Sequence, residues 1–212
     1  MSSHFTVCFQ HPDFIVINKP EGVSVHKDNE ASGLTERIAQ QLGVPQIWLV
    51  HRLDKATSGL LILALTKEAA VEFYHLFKQH KIQKTYWALS TAKPKKKQGK
   101  IIGDMKKSRN SAWKLCHTKE NPAITQFTSQ SIAPQLRWFT LHPHTGRTHQ
   151  LRVAMKSLGS PILGDSLYGG EKADRLYLHA YQLEFEYQNT HFCIQTPPTS
   201  GLIWQKIYQN TL

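Results

Sequence analysis

Short apolar runs separated by turn signals recur along this chain, and they predict a series of β-strands. The first two runs, FTVCF (5–9) and FIVIN (14–18), flank the turn-like QHPD, a pattern typical of a β-hairpin. Each run is only four to a dozen residues long, which is typical of strands. Further runs of this kind are IWLV (47–50), GLLILAL (59–65), KTYWALS (84–90), AITQF (123–127), LRWFTL (136–141), LYLHAYQLEFEY (176–187) and HFCIQ (191–195).

Three segments instead repeat their apolar residues every three to four positions, which predicts amphipathic helices. Gly43 and Gly159 follow the first and third of these segments and are suited to ending a helix, and Thr66 precedes the second and can cap it. Mostly antiparallel strands with a few helices predict an α+β fold in a single domain over residues 1–212. The apolar residues of the three helices are Leu34, Ile38 and Leu42; Ala70, Phe73 and Phe77; and Leu151, Ala154, Met155 and Leu158.

The composition indicates a folded and strongly basic protein. Of the 212 residues, 40% are hydrophobic, which is enough for a sizeable core. The chain has 26 Lys and Arg against 15 Asp and Glu, a formal net charge of +11. Such a balance favours a polyanionic partner, most often nucleic acid and less often an acidic membrane surface.

The three cysteines, Cys8, Cys116 and Cys193, are scattered and show no metal-ligand spacing. They predict free thiols in a reducing compartment. The first residues lack a secretory signal, and the longest apolar run, 60–65, is too short to span a bilayer. We therefore expect a soluble cytoplasmic protein with no membrane partner.

Asp54 is the first candidate for chemistry, because it stands in HRLDKATSGLLILA (51–64), just before the most apolar segment of the chain. An unpaired carboxylate is costly to bury. One interpretation is therefore an aspartate that caps or pairs at a strand end. The other is a catalytic carboxylate held by rigid elements on both sides.

The segment HPHTGRTHQ (142–150) holds further candidates. Its three histidines, His142, His144 and His149, invite a metal site, but their spacing is not that of a helical ligand pair and the segment has no acid. Hydrogen-bonding or RNA-facing histidines are the favoured alternative, and no metal is predicted. Arg147 follows a glycine turn before a helix, so it is either a surface arginine or a ligand for a carboxylate or phosphate.

The stretch from Lys78 to Lys119 carries 13 of the 26 basic residues and a single acid, Asp104. It is either a solvated loop or an arm that follows RNA phosphates. Trp87 and Trp113 lie within it and could stack on bases or belong to the core. The chain has no Walker loop, Rossmann glycine fingerprint or nucleophile elbow, so a nucleotide-cofactor enzyme is disfavoured and no cofactor is predicted.

Taken together, several of these segments resemble the RluA-type pseudouridine synthases. The matches follow the family's order and span roughly residues 13–185. The HRLD…TSGLL and TGRTHQ…GDxxYG blocks are the most specific of them. The matching segments are NKPEGVSVH (18–26), HRLDKATSGLLILA (51–64), KTYWA (84–88), LHPHTGRTHQLRV (141–153) with GSPILGDSLYG (159–169), and LHAYQLEF (178–185).

The resemblance implies a mixed, largely antiparallel sheet with a central cleft. It also implies isomerisation of uridine to pseudouridine in RNA: the N-glycosidic bond of a uracil breaks, the base rotates, and C5 joins C1′. A uracil within a stem must be flipped out to be reached. No separate N-terminal RNA-binding domain is expected, which favours a compact target such as a tRNA or ribosomal RNA stem-loop. We expect a monomer.

The resemblance also assigns site residues. Asp54 falls on the family's catalytic aspartate, Tyr86 on the tyrosine that packs on the base, and Arg147 on the arginine that pairs with the aspartate. An aspartate beside an arginine stays ionised even when desolvated. Arg52 could fill the place of the flipped base. The predicted RNA-contact residues are Arg52, His51, Lys84, Lys95, Lys96, Lys97 and His149.

Two other functions remain open at this point. A non-catalytic RNA-binding factor could retain the fold, although intact Asp54, Tyr86 and Arg147 disfavour it. A metal-dependent nuclease could use the histidines, although the lack of clustered acids disfavours it.

Overall fold

The computed structural model describes residues 5–26 and 32–209. By internal contacts the chain divides into two compact units: residues 1–82 with 180–197, and residues 83–179 with 198–212. Both combine antiparallel strands with helices, in agreement with the predicted α+β class. The prediction of one catalytic domain over 1–212 stays a prediction.

The first unit is built on the predicted opening hairpin. Strand β1 (Thr6–Gln10) pairs antiparallel with β2 (Phe14–Lys19), and β2 pairs antiparallel with β4 (Ser58–Ala64). The short β3 (Trp48–Leu49) also joins β4, so the predicted strand 47–50 forms only in part. On the other side of β4 lies β11 (Leu178–Tyr187), of which residues 180–187 belong to this unit.

Strand β12 (Thr190–Gln195) closes this unit by pairing with β11. The turn between them, QN, has φ values of 48° at Gln188 and 61° at Asn189. Such a turn matches the twist of a tight hairpin, and asparagine tolerates it well. The strands predicted at 176–187 and 191–195 therefore form a hairpin.

Helices α1 (Leu34–Leu42) and α2 (Lys67–Lys78) also belong to the first unit. Gly43 ends α1 in the left-handed region, with φ 67°, and Thr66 Oγ1 accepts a hydrogen bond from the backbone N–H of Ala69 at 3.1 Å. Both terminus predictions are confirmed. Phe73 of α2 packs on Phe14 of β2 in the buried core of the unit.

All seven residues of β4 are buried, which is why this segment reads as a continuous apolar run. A Cβ atom on Gly59, whose φ is 115°, would lie 2.3 Å from the carbonyl oxygen of Ala180 on β11. Only glycine permits that approach. The close packing of two strands therefore accounts for the glycine of the TSG motif.

The second unit contains a four-stranded antiparallel sheet in the order β5-β10-β9-β6. Trp138 of β10 packs against Trp87 of β5, with 4.6 Å between the ring centroids, and against Trp204, with 5.0 Å between the ring centroids. Trp87 thus packs within the unit, as the core interpretation expects. The strands are β5 (Gln83–Ser90), β6 (Gln98–Gly103), β9 (Ala123–Ala133) and β10 (Leu136–Pro143).

Helix α3 (Gln150–Ser157) follows this sheet, and the expected stop at Gly159 is confirmed by its left-handed φ of 76°. The second unit also contains elements that the apolar pattern does not predict. These include strand β6, a separate hairpin of β7 (Met105–Lys107) and β8 (Trp113–Leu115), and the C-terminal helix α4 (Leu202–Gln209).

The basic stretch 78–119 is consequently not one solvated loop. It includes the end of α2, strands β5 and β6, and the β7–β8 hairpin. Among the described residues, no helix is long and apolar enough to cross a membrane.

Candidate active site

Asp54 lies half-buried in the loop between β3 and β4, and residues on both sides of it are anchored. Before it, Leu53 is buried, and the His51 ring accepts a hydrogen bond from the backbone N–H of Ile62 at 2.8 Å. The same ring stacks on the ring of Phe77, with 4.5 Å between the two centroids. The loop therefore holds its shape through its neighbours and leaves the Asp54 side chain partly accessible.

After Asp54 the chain turns at once into β4. The carbonyl of Asp54 accepts a hydrogen bond from the backbone N–H of Thr57 at 3.0 Å, which closes a tight turn. The carbonyl of Lys55 accepts one from the backbone N–H of Gly22 at 2.8 Å. This second bond joins the Asp54 loop to the NKPEG loop.

Lys19 strengthens that junction, a role that the sequence pattern does not predict. Its side chain is fully buried, and Nζ donates to the carbonyls of Pro20 and Val23 at 2.9 Å each and of Lys55 at 3.3 Å. Backbone carbonyls thus solvate a buried ammonium group, as burial of a charge requires. A lysine directly after the apolar run FIVIN was the available signal.

The second unit presents the other candidate residues. Tyr86 is half-buried on β5, where it pairs with Leu141 of β10. Arg147 is exposed on the turn between β10 and α3, and its Nη2 donates to the amide oxygen of Asn121. The predicted glycine-turn setting of Arg147 is therefore found in the structure.

Gln150 organises the turn that carries Arg147. Its side chain is buried, and Oε1 accepts from the Thr145 hydroxyl at 2.7 Å and from the backbone N–H of Arg147 at 3.0 Å. Its Nε2 donates to the carbonyl of Ile124 at 3.1 Å and to the hydroxyl of Thr125 at 3.0 Å. This amide is fully satisfied, which explains the glutamine at the end of TGRTHQ.

Replacing Gln150 with methionine, which has a similar length but no amide, is expected to weaken both folding and turnover. Four hydrogen bonds are lost at a buried position, so the free energy of unfolding should fall by about 2–4 kcal/mol. The rate of the predicted reaction should fall because the backbone N–H of Arg147 loses its hydrogen-bond acceptor. Urea unfolding and single-turnover rates measure the two effects. Thr128→Val on the same strand as Thr125 serves as a control, and equal losses in both variants would contradict the role of Gln150.

The GDSLYG block supports the start of α3. Asp165 is buried, and its carboxylate receives two hydrogen bonds from Arg152 at 2.8 Å each, a bidentate pair. The guanidinium of Arg152 also lies 5.0 Å from the ring centroid of Tyr168. The Tyr168 hydroxyl bonds His149 Nδ1 at 2.8 Å and accepts from the backbone N–H of Trp113 at 2.9 Å. These contacts join α3 to the β7–β8 hairpin.

The predicted RNA-contact residues have different surroundings. Arg52, Lys95, Lys96 and Lys97 are exposed, whereas His51, Lys84 and His149 are half-buried. The rings of the two histidines already make the hydrogen bonds given above. Contact of these residues with RNA stays a prediction.

The histidines of HPHTGRTHQ do not lie in a metal-like cluster. His142 Nδ1 bonds the Thr85 hydroxyl at 3.2 Å. Burial lowers the pKa of His142, and the nearby His144 lowers it further. Within residues 5–26 and 32–209, no group of three or more His, Cys, Asp or Glu side chains could hold a metal ion.

The sequence of this chain is similar to those of known RNA pseudouridine synthases. The family model for RNA pseudouridylate synthase matches residues 13–157. An uncharacterized RNA pseudouridine synthase of Haemophilus influenzae is 67% identical over 202 residues, covering 94% of this chain and 90% of that protein. The dual-specificity RNA pseudouridine synthase RluA of Salmonella typhi is 36% identical over 193 residues, covering 84% of each.

Solved structures agree with the sequence comparison. Human RNA pseudouridylate synthase domain containing 1 superposes with a TM-score of 0.78 at 26% identity, covering 93% of this chain and 85% of that one.

Proposed function

Because this chain belongs to the RNA pseudouridylate synthase family, which isomerises uridine in RNA to pseudouridine, we propose that Asp54 supplies the carboxylate on which the reaction depends. The observation that carries the proposal is the setting of Asp54, whose side chain is partly accessible while its neighbours on both sides are anchored. Catalytic groups need such rigid support, since small displacements cost rate.

Tyr86 and Arg147 are proposed to act in the same reaction. Tyr86 stands half-buried on a sheet strand, a position from which an aromatic ring can pack against a base. Arg147 stands on a turn that Gln150 fixes, and its guanidinium can bond a carboxylate in a planar, bidentate manner.

The substrate is proposed to be a structured tRNA or ribosomal RNA whose target uridine is flipped out of its stack. The Salmonella typhi relative is named a dual-specificity RNA pseudouridine synthase, which supports RNA as the substrate. A base inside a stem is unreachable, and extrusion is the general solution of base-modifying enzymes. Arg52 is exposed beside the buried Leu53, so it is a candidate to occupy the vacated place.

No cofactor is required by this chemistry. Uridine and pseudouridine are isomers, so the reaction consumes no oxidant, reductant or group donor. We propose a cytoplasmic monomer that works without a metal. Full activity in the presence of a chelator is the expected result.

The decisive experiment maps pseudouridines in cellular RNA with and without the gene, and repeats the reaction with purified protein. Loss of one or a few pseudouridines, restored by the wild-type protein, supports the proposal. Protein that binds RNA but modifies none of the cellular pool would indicate a binding factor. RNA cleavage abolished by a chelator would indicate a metal-dependent nuclease.

The exposed lysines 95–97 provide a test of RNA contact. The backbone here is anchored, because the Lys95 N–H donates to the carbonyl of Leu158 at 3.1 Å and the Lys97 carbonyl accepts from the Ser129 N–H at 2.7 Å. Changing all three lysines to alanine should weaken RNA binding and lower the slope of log Kd against log salt, by about one for each lost phosphate contact. Filter binding at several salt concentrations measures both. The triple arginine variant keeps the charge and should bind like wild type, and an unchanged slope in the alanine variant would contradict the contact.

A further inference from the structure

Lys84 is a basic side chain held within the second unit next to the turn that carries Arg147. It stands at the start of β5, two residues before Tyr86, so the two side chains lie on the same face of the strand. Its Nζ donates to the carbonyl of Thr145 at 3.4 Å. A Cβ atom placed on Gly146 would lie 3.8 Å from that nitrogen.

Within the described part of the second unit, this ammonium group is poorly compensated. Burial lowers the pKa of Lys84 to about 8. None of the described acids of the second unit forms an ion pair with it. A desolvated cation with one long hydrogen bond to a neutral carbonyl is unfavourable, and an anion would relieve the cost.

Within the described part of the second unit, the ionisable residues on the elements that flank Lys84 do not supply that anion. They are Tyr86 on its own strand, His142 on β10, and His144 and Arg147 on the turn. No carboxylate is among them. A structural role for Lys84 in fixing the turn that carries Arg147 does not explain its presence either. Gln150 already fixes this turn through hydrogen bonds to Thr145 and Arg147 at 2.7–3.0 Å.

We propose that Lys84 binds a phosphate group of the RNA backbone at the target nucleotide. The proposal rests on the proposed function, because it takes RNA as the substrate. A phosphodiester carries the negative charge that the site lacks, and lysine binds phosphate as a point charge. A phosphate held there would locate the target nucleotide on the face of β5 that carries Tyr86.

The probe is a synthetic stem-loop RNA that contains the uridine identified by mapping. Lys84→Met should raise KM and the RNA Kd about tenfold while kcat changes little, because a charge-assisted hydrogen bond in binding is lost. The salt slope should fall by about one. Lys206→Met removes an equivalent charge from the exposed face of α4 and should match wild type. Lys84→Met with the Kd and slope of this control would overturn the proposal.

Neutral backbone substitutions locate the phosphate. Methylphosphonates are placed singly at the linkages on the 5′ and 3′ sides of the target uridine. At one of the two, the substitution should weaken binding to wild type about tenfold and have no further effect on Lys84→Met. Full additivity of RNA and protein changes at both linkages would show that Lys84 binds neither phosphate.

The pH dependence of the RNA Kd provides a further test, because a purely structural role of Lys84 would not change it. Below about pH 8, Lys84 of the RNA-free protein is charged and the Kd should be constant. Above about pH 8, the neutral Lys84 must take up a proton before it can bind phosphate. Wild-type affinity should therefore fall with rising pH, by up to about tenfold per unit. Lys84→Arg stays protonated and should bind without this alkaline loss, and Lys84→Met should be weak and flat. The same alkaline loss in Lys84→Arg would assign the effect to another group and overturn the proposal.

Failure of this inference is distinguishable from failure of the proposed function. If the wild-type protein forms no pseudouridine in the mapping experiment, the proposed function fails and Lys84 loses its premise. If pseudouridine forms normally but Lys84→Met behaves as Lys206→Met, the phosphate site alone is wrong.

Discussion

Asp54→Asn is expected to lower the rate of pseudouridine formation by at least about 1,000-fold, to the limit of detection. Asparagine keeps the size of the side chain and much of its hydrogen bonding but removes the negative charge. The turn should survive, because the bond that closes it uses the backbone carbonyl of residue 54. Release of tritium from RNA labelled at uridine C5 measures the reaction.

Measurements of the Kd for RNA and of the Tm distinguish a loss of chemistry in Asp54→Asn from structural damage. The Kd of Asp54→Asn for RNA should equal that of wild type or be lower, since a negative charge near phosphates is gone. Glu68→Gln, at an exposed position in the first turn of α2, removes the same charge and should remain active. A variant with a wild-type Tm that still makes pseudouridine would exclude Asp54 as the reacting carboxylate.

Arg147→Lys is expected to lower turnover about 100-fold while the protein stays folded. Lysine keeps the positive charge but lacks the planar fork that bonds a carboxylate through two N–H groups. The turn itself should persist, because Gln150 binds the backbone N–H of residue 147 and the Thr145 hydroxyl rather than the guanidinium.

Single-turnover rates with saturating RNA measure the effect without the contribution of binding. Arg37→Lys, on α1 in the first unit, is the matched control and should keep its rate. Near-normal turnover by a well-folded Arg147→Lys protein would show that the guanidinium geometry does not matter to the reaction.

The local elements with a strong apolar period were predictable from sequence. Strand β4 is buried along its whole length and therefore reads as one apolar run, and α2 shows both its capping Thr66 and its buried Phe73. The hairpin of β11 and β12 was predictable because its turn residues are compatible with left-handed backbone.

The β7–β8 hairpin was not predictable in the same way, because its strands are short and rich in lysine. It is held by distant groups instead. The backbone N–H of Trp113 bonds the Tyr168 hydroxyl, and the carboxylate of Asp104 accepts from the backbone N–H groups of Glu120 and Asn121 at 3.1 and 2.9 Å. No pattern within the hairpin encodes these partners.

Helix α4 was missed for a related reason. Its first backbone N–H, at Leu202, donates to the carboxylate of Asp174 at 2.9 Å, and that of Ile203 donates to the Tyr177 hydroxyl at 2.9 Å. Helix starts are recognised in sequence by a capping residue next to the helix. Here the caps come from residues more than twenty positions away.

The sequence by itself determined the fold class, the main strands and helices, and the resemblance that points to Asp54, Tyr86 and Arg147. It could do so because periodicity, caps and family motifs are local properties of the chain. Only the tertiary structure decided what supports those residues: buried Lys19 on the carbonyl of Lys55, Gln150 beneath the Arg147 turn, and Lys84 beside Thr145. These roles depend on which polar groups burial brings together, and burial is set by the packing of elements far apart in the chain.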